Sequence, residues 1–145
     1  MPDESLSTVD ALVQLSFLTL GELGGIAAAH DLSLVQVRML GILRDRRPPM
    51  QELGRRLGLG KSSMTGLVGR AEARGLVRRI PDESDGRGVR VESTEAGLAL
   101  TAVFTASMTA RVEQIVGVLP TRDRDRFTQL ASRLLDEADQ TASRA

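Results

Sequence analysis

Residues 51–97 read QELGRRLGLGKSSMTGLVGRAEARGLVRRIPDESDGRGVRVESTEAG, and two different periodicities meet inside them. Met50, Leu53 and Leu57 fall on one face of a short helix. Gly58-Leu59-Gly60 interrupts that pattern. A second helix begins near Lys61, with Met64, Leu67, Val68 and Ala71 spaced to form one apolar stripe. At about 100° per residue, Ser62, Gly66 and Gly69 point directly away from that stripe, and Ser63, Thr65 and Arg70 flank it. The outward surface therefore carries small polar groups, bare backbone and a cation. Such a face suits a helix lying in a DNA major groove. Lys61, Ser62, Ser63 and Thr65 open the helix, where hydroxyls can meet phosphate or base edges and exposed N–H groups attract phosphate; Ser62 or Ser63 can also serve as the helix cap, and the two roles are compatible.

The next residues change period. Val77-Arg78-Arg79-Ile80 is a short strand, and Pro81 to Gly88 is a polar turn rich in Asp and Gly. Val89, Val91 and Ser93 then alternate with Arg90 and Glu92, which is strand period. A helix-turn-helix followed by a two-stranded ribbon is a winged helix, and a wing can enter a minor groove beside the helix. The fold class expected is mainly α with a small β wing.

Within this stretch, Leu53-Gly54, Gly75-Leu76-Val77, Pro81-Asp82, Asp85-Gly86-Arg87 and Thr94-Glu95-Ala96-Gly97 resemble the MarR family (multiple antibiotic resistance regulators). The wing signature of that family is D-x-R followed, seven residues after its arginine, by T-x-x-G; here Asp85, Arg87, Thr94 and Gly97 stand in that register. The resemblance covers nearly the whole chain, because the flanking helices also fit. Two positions depart from it. The family often carries Arg where Gly66 stands, which weakens direct base reading from that position, and Leu where Ser93 stands. The resemblance implies a DNA-binding transcriptional regulator, usually a repressor. It implies that Arg87 contacts the DNA backbone or minor groove, with Asp85 orienting it. It also implies that the terminal helices of two subunits interlock, and that small aromatic anions bind between those helices and the DNA-binding lobe. Arg90, on the next strand, is either a phosphate contact or a partner for Glu92 or a neighbouring strand. The expected DNA-contact set is thus Lys61, Ser62, Ser63, Thr65, Arg70, Asp85, Arg87 and Arg90.

Composition narrows the alternatives. A chain of 145 residues fits one domain with a core that needs no covalent staple. It has no cysteine and a single histidine, His30, so disulfides, thiolate chemistry and multi-histidine metal sites are excluded. No Ser/His/Asp set can be assembled around one histidine. Gly60-Lys61-Ser62 suggests a phosphate loop, but G-x-x-x-x-G-K-[ST] needs glycine where Arg55 stands, and the segment follows a helix rather than a strand. No catalytic, cofactor-binding or metal-binding residue is therefore expected. No uninterrupted apolar run reaches the length of a membrane span, and the acidic start MPDESLSTVD is unlike a signal peptide, so a cytoplasmic protein away from membranes is expected.

Nineteen basic and nineteen acidic residues give zero net charge, which at first argues against a polyanion partner. Their distribution argues for one. Residues 1–31 hold five acids and no Lys or Arg, whereas residues 55–79 hold seven cations against Glu72 alone, a net of +6.

Outside the central stretch, residues 6–29 form a long helix with two apolar rows. One row is Leu6, Val9, Val13, Phe17 and Leu20; the other is Leu12, Leu15, Leu23 and Ile26. A helix apolar on two faces must bury both, which calls for a partner subunit. Ser33 and Gln36 fit a capping box opening a helix to about Arg44 that buries Leu34, Val37, Leu40 and Leu43, and Pro48-Pro49 follows. Thr94 caps a helix reaching about Leu119, with a seam of Leu100, Phe104, Met108, Val112, Ile115 and Leu119. After Pro120, Thr121 caps a last helix to about Ala142, with Phe127, Leu130 and Leu134 facing inward and fraying from Thr141. The organisation expected is a single domain, 1–145. Residues 1–31 and 120–145 form dimerisation helices, 33–93 the winged helix-turn-helix lobe and 94–119 a connecting helix. A twofold homodimer would bind double-stranded DNA at a pseudo-palindromic operator with half-sites about one helical turn apart. A small-molecule effector would release it. An architectural DNA-binding protein without effector, and a winged-helix protein-interaction module, are the alternatives.

Overall fold

The computed structural model describes residues 6–144; Asp3 and Glu4 of the acidic start lie outside them, as does Ala145. The elements run α1 (Thr8–Ala29), α2 (Leu34–Ile42), α3 (Met50–Leu57), α4 (Lys61–Ala73), β1 (Val77–Pro81), β2 (Val89–Ser93), α5 (Glu95–Val116) and α6 (Thr121–Arg144). Packing divides the chain inside α5, into a unit of residues 1–108 and a unit of residues 109–145. α6 continues to Arg144, a little beyond the expected end.

The first unit is built on the crossing of α3 and α4. Leu53, Met64, Leu67, Val68 and Ala71 are all buried, as their spacing requires. Gly54 permits the crossing: a Cβ there would come within 2.9 Å of Met64 Cγ and 3.1 Å of the Leu59 carbonyl. Gly58 ends α3 in the left-handed region at φ 67°, and the Leu59 amide donates to the Gly54 carbonyl at 2.9 Å. α2 carries the predicted Ser33–Gln36 capping box, with both reciprocal bonds formed. Its buried face differs from the expected one. Met39 is fully buried, Leu40 and Leu43 join it, Val37 is half-buried, and Leu34 is left 41% exposed.

β1 and β2 pair antiparallel, with Val77 opposite Ser93, Arg78 opposite Glu92 and Ile80 opposite Arg90. The segment before α3 does more than end a helix. The Val91 amide donates to the Pro48 carbonyl at 3.0 Å, and Pro49 bridges to Arg90, so residues 47–49 form a strap along the free edge of β2. Charged side chains fasten it. Arg90 Nη1 donates to the Arg47 carbonyl at 2.8 Å, and its Nε donates to Asp82 Oδ1 at 3.0 Å. Glu92, only 7% exposed, pairs with Arg47 Nε at 3.0 Å and also with Arg78 Nε across the ribbon. Asp82 further accepts from the Ser84 hydroxyl at 2.7 Å and the Ser84 amide at 3.1 Å, which folds the wing turn onto the strand ends.

The second strand leads directly into α5, and the Thr94-x-x-Gly97 pattern explains how. Thr94 Oγ1 accepts the Gly97 amide at 3.1 Å, which caps the helix, and donates to the Gly75 carbonyl at 2.6 Å. The Thr94 amide donates to the Leu76 carbonyl at 3.0 Å. Gly97 lies against that same carbonyl, so close that a Cβ there would sit 2.0 Å from the oxygen. Gly75, at φ 71°, turns the chain from α4 into β1 at this junction. Along α5, Phe104 is buried and Leu100 and Met108 pack against the core, as the expected seam requires within this unit.

α1 buries only its C-terminal end. Ala27 is buried, with Leu23 and Ile26 packed against the core, whereas Val9 and Phe17 are each 71% exposed and Leu6, Leu12, Val13, Leu15, Leu18 and Leu20 are exposed too. By length and composition α1 could also cross a membrane, with a mean hydropathy of 1.5. Asp10 and Glu22 interrupt the continuous apolar run sought in the sequence. In the second unit, Phe127, Leu130 and Leu134 do not face inward as expected; they are 51%, 48% and 64% exposed.

Two outcomes follow from the wing junction. Gly97→Ala should lower stability by about 1–3 kcal/mol or more, because the new methyl meets backbone that cannot rotate away. Gly69→Ala, where a Cβ meets nothing within 4 Å, should raise it by up to about 1 kcal/mol. Denaturant midpoints distinguish the two, and equal effects would refute the contact. The Ser84 hydroxyl, and then Arg90, hold the Asp82 carboxyl below its ordinary 3.8. A carboxylate lowered by folding stabilises above its unfolded value, and that contribution is lost as pH falls through the lowered one. The Ser84 amide shift in an NMR titration should thus move with a midpoint below the ordinary 3.8. Asp82→Asn should abolish that transition.

Candidate nucleic-acid interface

The outward side of α4 is open along its first two turns. Lys61, Ser62, Ser63 and Thr65 are exposed, and Gly66 and Gly69 are half-buried beside them. Gly60 is the N-cap and supplies no side-chain bond, so neither Ser62 nor Ser63 caps the helix. The first-turn N–H groups therefore remain without a side-chain acceptor and carry the positive end of the helix dipole. This arrangement can receive a phosphate oxygen. Thr65 Oγ1 donates to the Lys61 carbonyl at 3.0 Å, which leaves its lone pairs to accept from a base amino group.

The basic segment is only partly free. Arg56 pairs with Glu52 at 3.0 Å, Arg79 with Glu72 at 2.9 Å and Arg78 with Glu92. Arg74 donates to the carbonyls of Asp31 at 2.7 Å and His30 at 3.0 Å, which fastens the end of α4 to the α1–α2 turn. Arg55, Lys61 and Arg70 have no ion-pair or side-chain hydrogen-bond partner among the described residues. The same is true of the Arg87 guanidinium on the exposed wing tip. The usable positive surface is thus narrower than the net of +6 suggested, and it is concentrated on α3, α4 and the wing.

Asp85 and Arg90 both make bonds within the wing. Asp85 Oδ1 accepts the backbone amide of Arg87 at 3.2 Å, and the Asp85 carbonyl accepts the Gly88 amide at 2.8 Å. Asp85 therefore shapes the chain at Arg87 and does not grip its guanidinium. Arg90 donates to Asp82 and the Arg47 carbonyl, an internal pairing of the kind weighed for it beside a phosphate contact, with Asp82 in place of Glu92. Nothing in the sequence assigns a fastening role to Arg47 or Asp82, and Glu92 stands there only as a candidate partner of Arg90. Arg78 opposite Glu92 is an opposite-charge cross-strand pair, and the ribbon register would have exposed it.

Beside the start of α4, a cleft of about 580 Å³ opens between α3, α4 and the wing. Met50, Leu59, Met64 and Val89 give it an apolar wall, and Lys61 and Arg79 place cations at it. Among the described residues, no three His, Asp or Glu side chains come together as a metal-binding group.

The family model described as the MarR family matches residues 30–88, which span α2 to the wing turn. The HTH-type transcriptional repressor NicR of Pseudomonas putida is 33% identical over 111 residues, covering 76% of this chain and 70% of that protein. Among solved structures, MarR superposes with a TM-score of 0.81 at 18% identity, over 100% of this chain and 99% of that one. NadR in complex with 4-hydroxyphenylacetate superposes with a TM-score of 0.74 at 23% identity, over 92% of this chain and 97% of that one. With its wing signature seated in a winged helix-turn-helix of that fold, the chain belongs to the MarR family of DNA-binding transcriptional regulators.

Proposed function

We propose that this regulator works as a homodimeric repressor on a pseudo-palindromic operator and is released by a small amphipathic anion. The observation that carries the DNA-contact assignment is the uncapped start of α4. Its free N–H groups lie beside exposed Lys61, Ser62 and Ser63, and Arg70 and Arg87 are cations without an internal partner. Phosphate contacts from Lys61, Arg55 and the α4 amides position the lobe, while Ser63, Thr65 and Arg70 face the base edges. Arg87 extends from the wing toward the backbone or minor groove.

The dimer rests on exposed apolar surface. α1 leaves seven large hydrophobic residues exposed, with Leu6 just before it also exposed, and α6 leaves Phe127, Leu130, Leu134 and Leu135 exposed. Soluble monomers rarely show contiguous patches of this kind, and a second copy is the partner of matching chemistry. The effector reading rests on the cleft beside α4, where an apolar wall and the unpaired Lys61 suit an aromatic carboxylate of the sort NadR holds. Occupancy there would compete with DNA for Lys61 and Thr65, which line both surfaces. The reading includes no catalysis and a cytoplasmic location.

The deciding experiment selects a duplex from a random pool with the full chain, then measures affinity against salt and against a panel of aromatic acids. With three or four phosphate contacts per protomer of a dimer, log affinity should fall with log salt at a slope between about −5 and −7. Arg87→Ala should weaken binding to all duplexes alike and make the slope shallower by about 0.9 per lost contact. Asp85→Ala should cause part of the same loss, because it loosens the turn that carries Arg87. If the two losses simply add in the double variant, Asp85 does not act through Arg87. A monomer in sedimentation that still binds an operator tightly would overturn the dimer.

A further inference from the structure

Arg70 lies two turns into α4, on the flank that also carries Ser63. Helical side chains lean toward the helix N-terminus, so a long side chain at position 70 sweeps back over position 66. Position 66 is glycine, and Arg70 Nη1 lies 3.2 Å from where a Cβ would stand. The guanidinium thus rests on bare backbone on the side of α4 that faces away from the core. It has no carboxylate partner among the described residues, unlike Arg56, Arg78 and Arg79. A planar donor fork, unpaired and lying over Gly66, matches the two major-groove acceptors of guanine, O6 and N7.

We infer that Arg70, laid back over Gly66, is the side chain through which α4 reads a guanine in each half-site. The inference deepens the DNA-binding assignment above and rests on it. Gly66 has a defined part: it contributes no base contact itself, but it leaves the space that lets the guanidinium lie low enough to face a base edge. Lys61 and Arg55, at the helix start and on α3, are compact or peripheral cations and set position. Thr65 is confined by its bond to the Lys61 carbonyl and can only accept. Arginine is the group on this face that can donate twice to one base.

The test uses the full chain and the duplex it selects from a random pool. Each guanine of that duplex is replaced in turn by 7-deazaguanine, which keeps the base pair and removes the N7 acceptor. One guanine per half-site should be sensitive, with affinity falling about 5- to 150-fold for a lost base contact. In Arg70→Ala that sensitivity should vanish, while other positions keep theirs. Gly66→Ala separates the positioning role from folding. Alanine favours the helix and should raise the melting temperature by about 2–4 °C, yet it pushes on Nη1 and should weaken discrimination at that guanine several-fold. Sensitivity that persists unchanged in Arg70→Ala, or no sensitive guanine at all, overturns the inference. Failure to select any duplex overturns the DNA-binding assignment itself and this inference with it.

Discussion

Everything on the DNA-facing side of this chain depends on one close approach of backbone to backbone. Gly97 lies against the Leu76 carbonyl where no side chain could fit, and Thr94 joins the same junction through the Gly75 and Leu76 carbonyls. Three elements converge there: the end of α4, the start of β1 and the start of α5. The contact sets how far the ribbon stands from the recognition helix. It is a steric constraint rather than a strong bond, so it defines geometry sharply while adding little energy of its own. The T-x-x-G half of the wing signature is therefore structural, and the D-x-R half shapes and presents a cation.

A second constraint is electrostatic. Zero net charge does not mean that acids and bases are evenly mixed. Glu52, Glu72, Asp82 and Glu92 each hold an arginine of the winged lobe. For the pairs at the surface the energy gained is small. Their larger effect is to settle which arginines stay unpaired. Arg90 and Arg78 fasten the ribbon, and Arg55, Arg70 and Arg87 have no side-chain partner among the described residues.

Much of this was legible in the sequence where a single period dominates. The stripe of Met64, Leu67, Val68 and Ala71 is interrupted by small and polar residues, so it has one possible face, and the structure buries that face. α2 was less legible because Leu34, Val35, Val37, Met39, Leu40 and Ile42 surround it with apolar groups. Neighbouring elements chose Met39 over Leu34, and spacing alone could not. Alternation along β2 placed Arg90 and Glu92 on an outward face. The strap of residues 47–49 covers that edge and turns both into internal fasteners. On α6 the sequence located the stripe of Phe127, Leu130 and Leu134 correctly as apolar, but periodicity reports which side chains are oily and not what lies over them. The outward-facing residues of α4 follow from geometry, whereas the commitment of Arg90 to Asp82 follows from tertiary contact between residues eight positions apart across a turn.

The strap has a mechanical consequence. The ribbon is suspended from two points: the α4–β1 turn at Gly75 and the α2–α3 linker at Arg47 and Pro48. α2 therefore reaches β2 through a linker of its own, separate from the turn that joins α4 to β1.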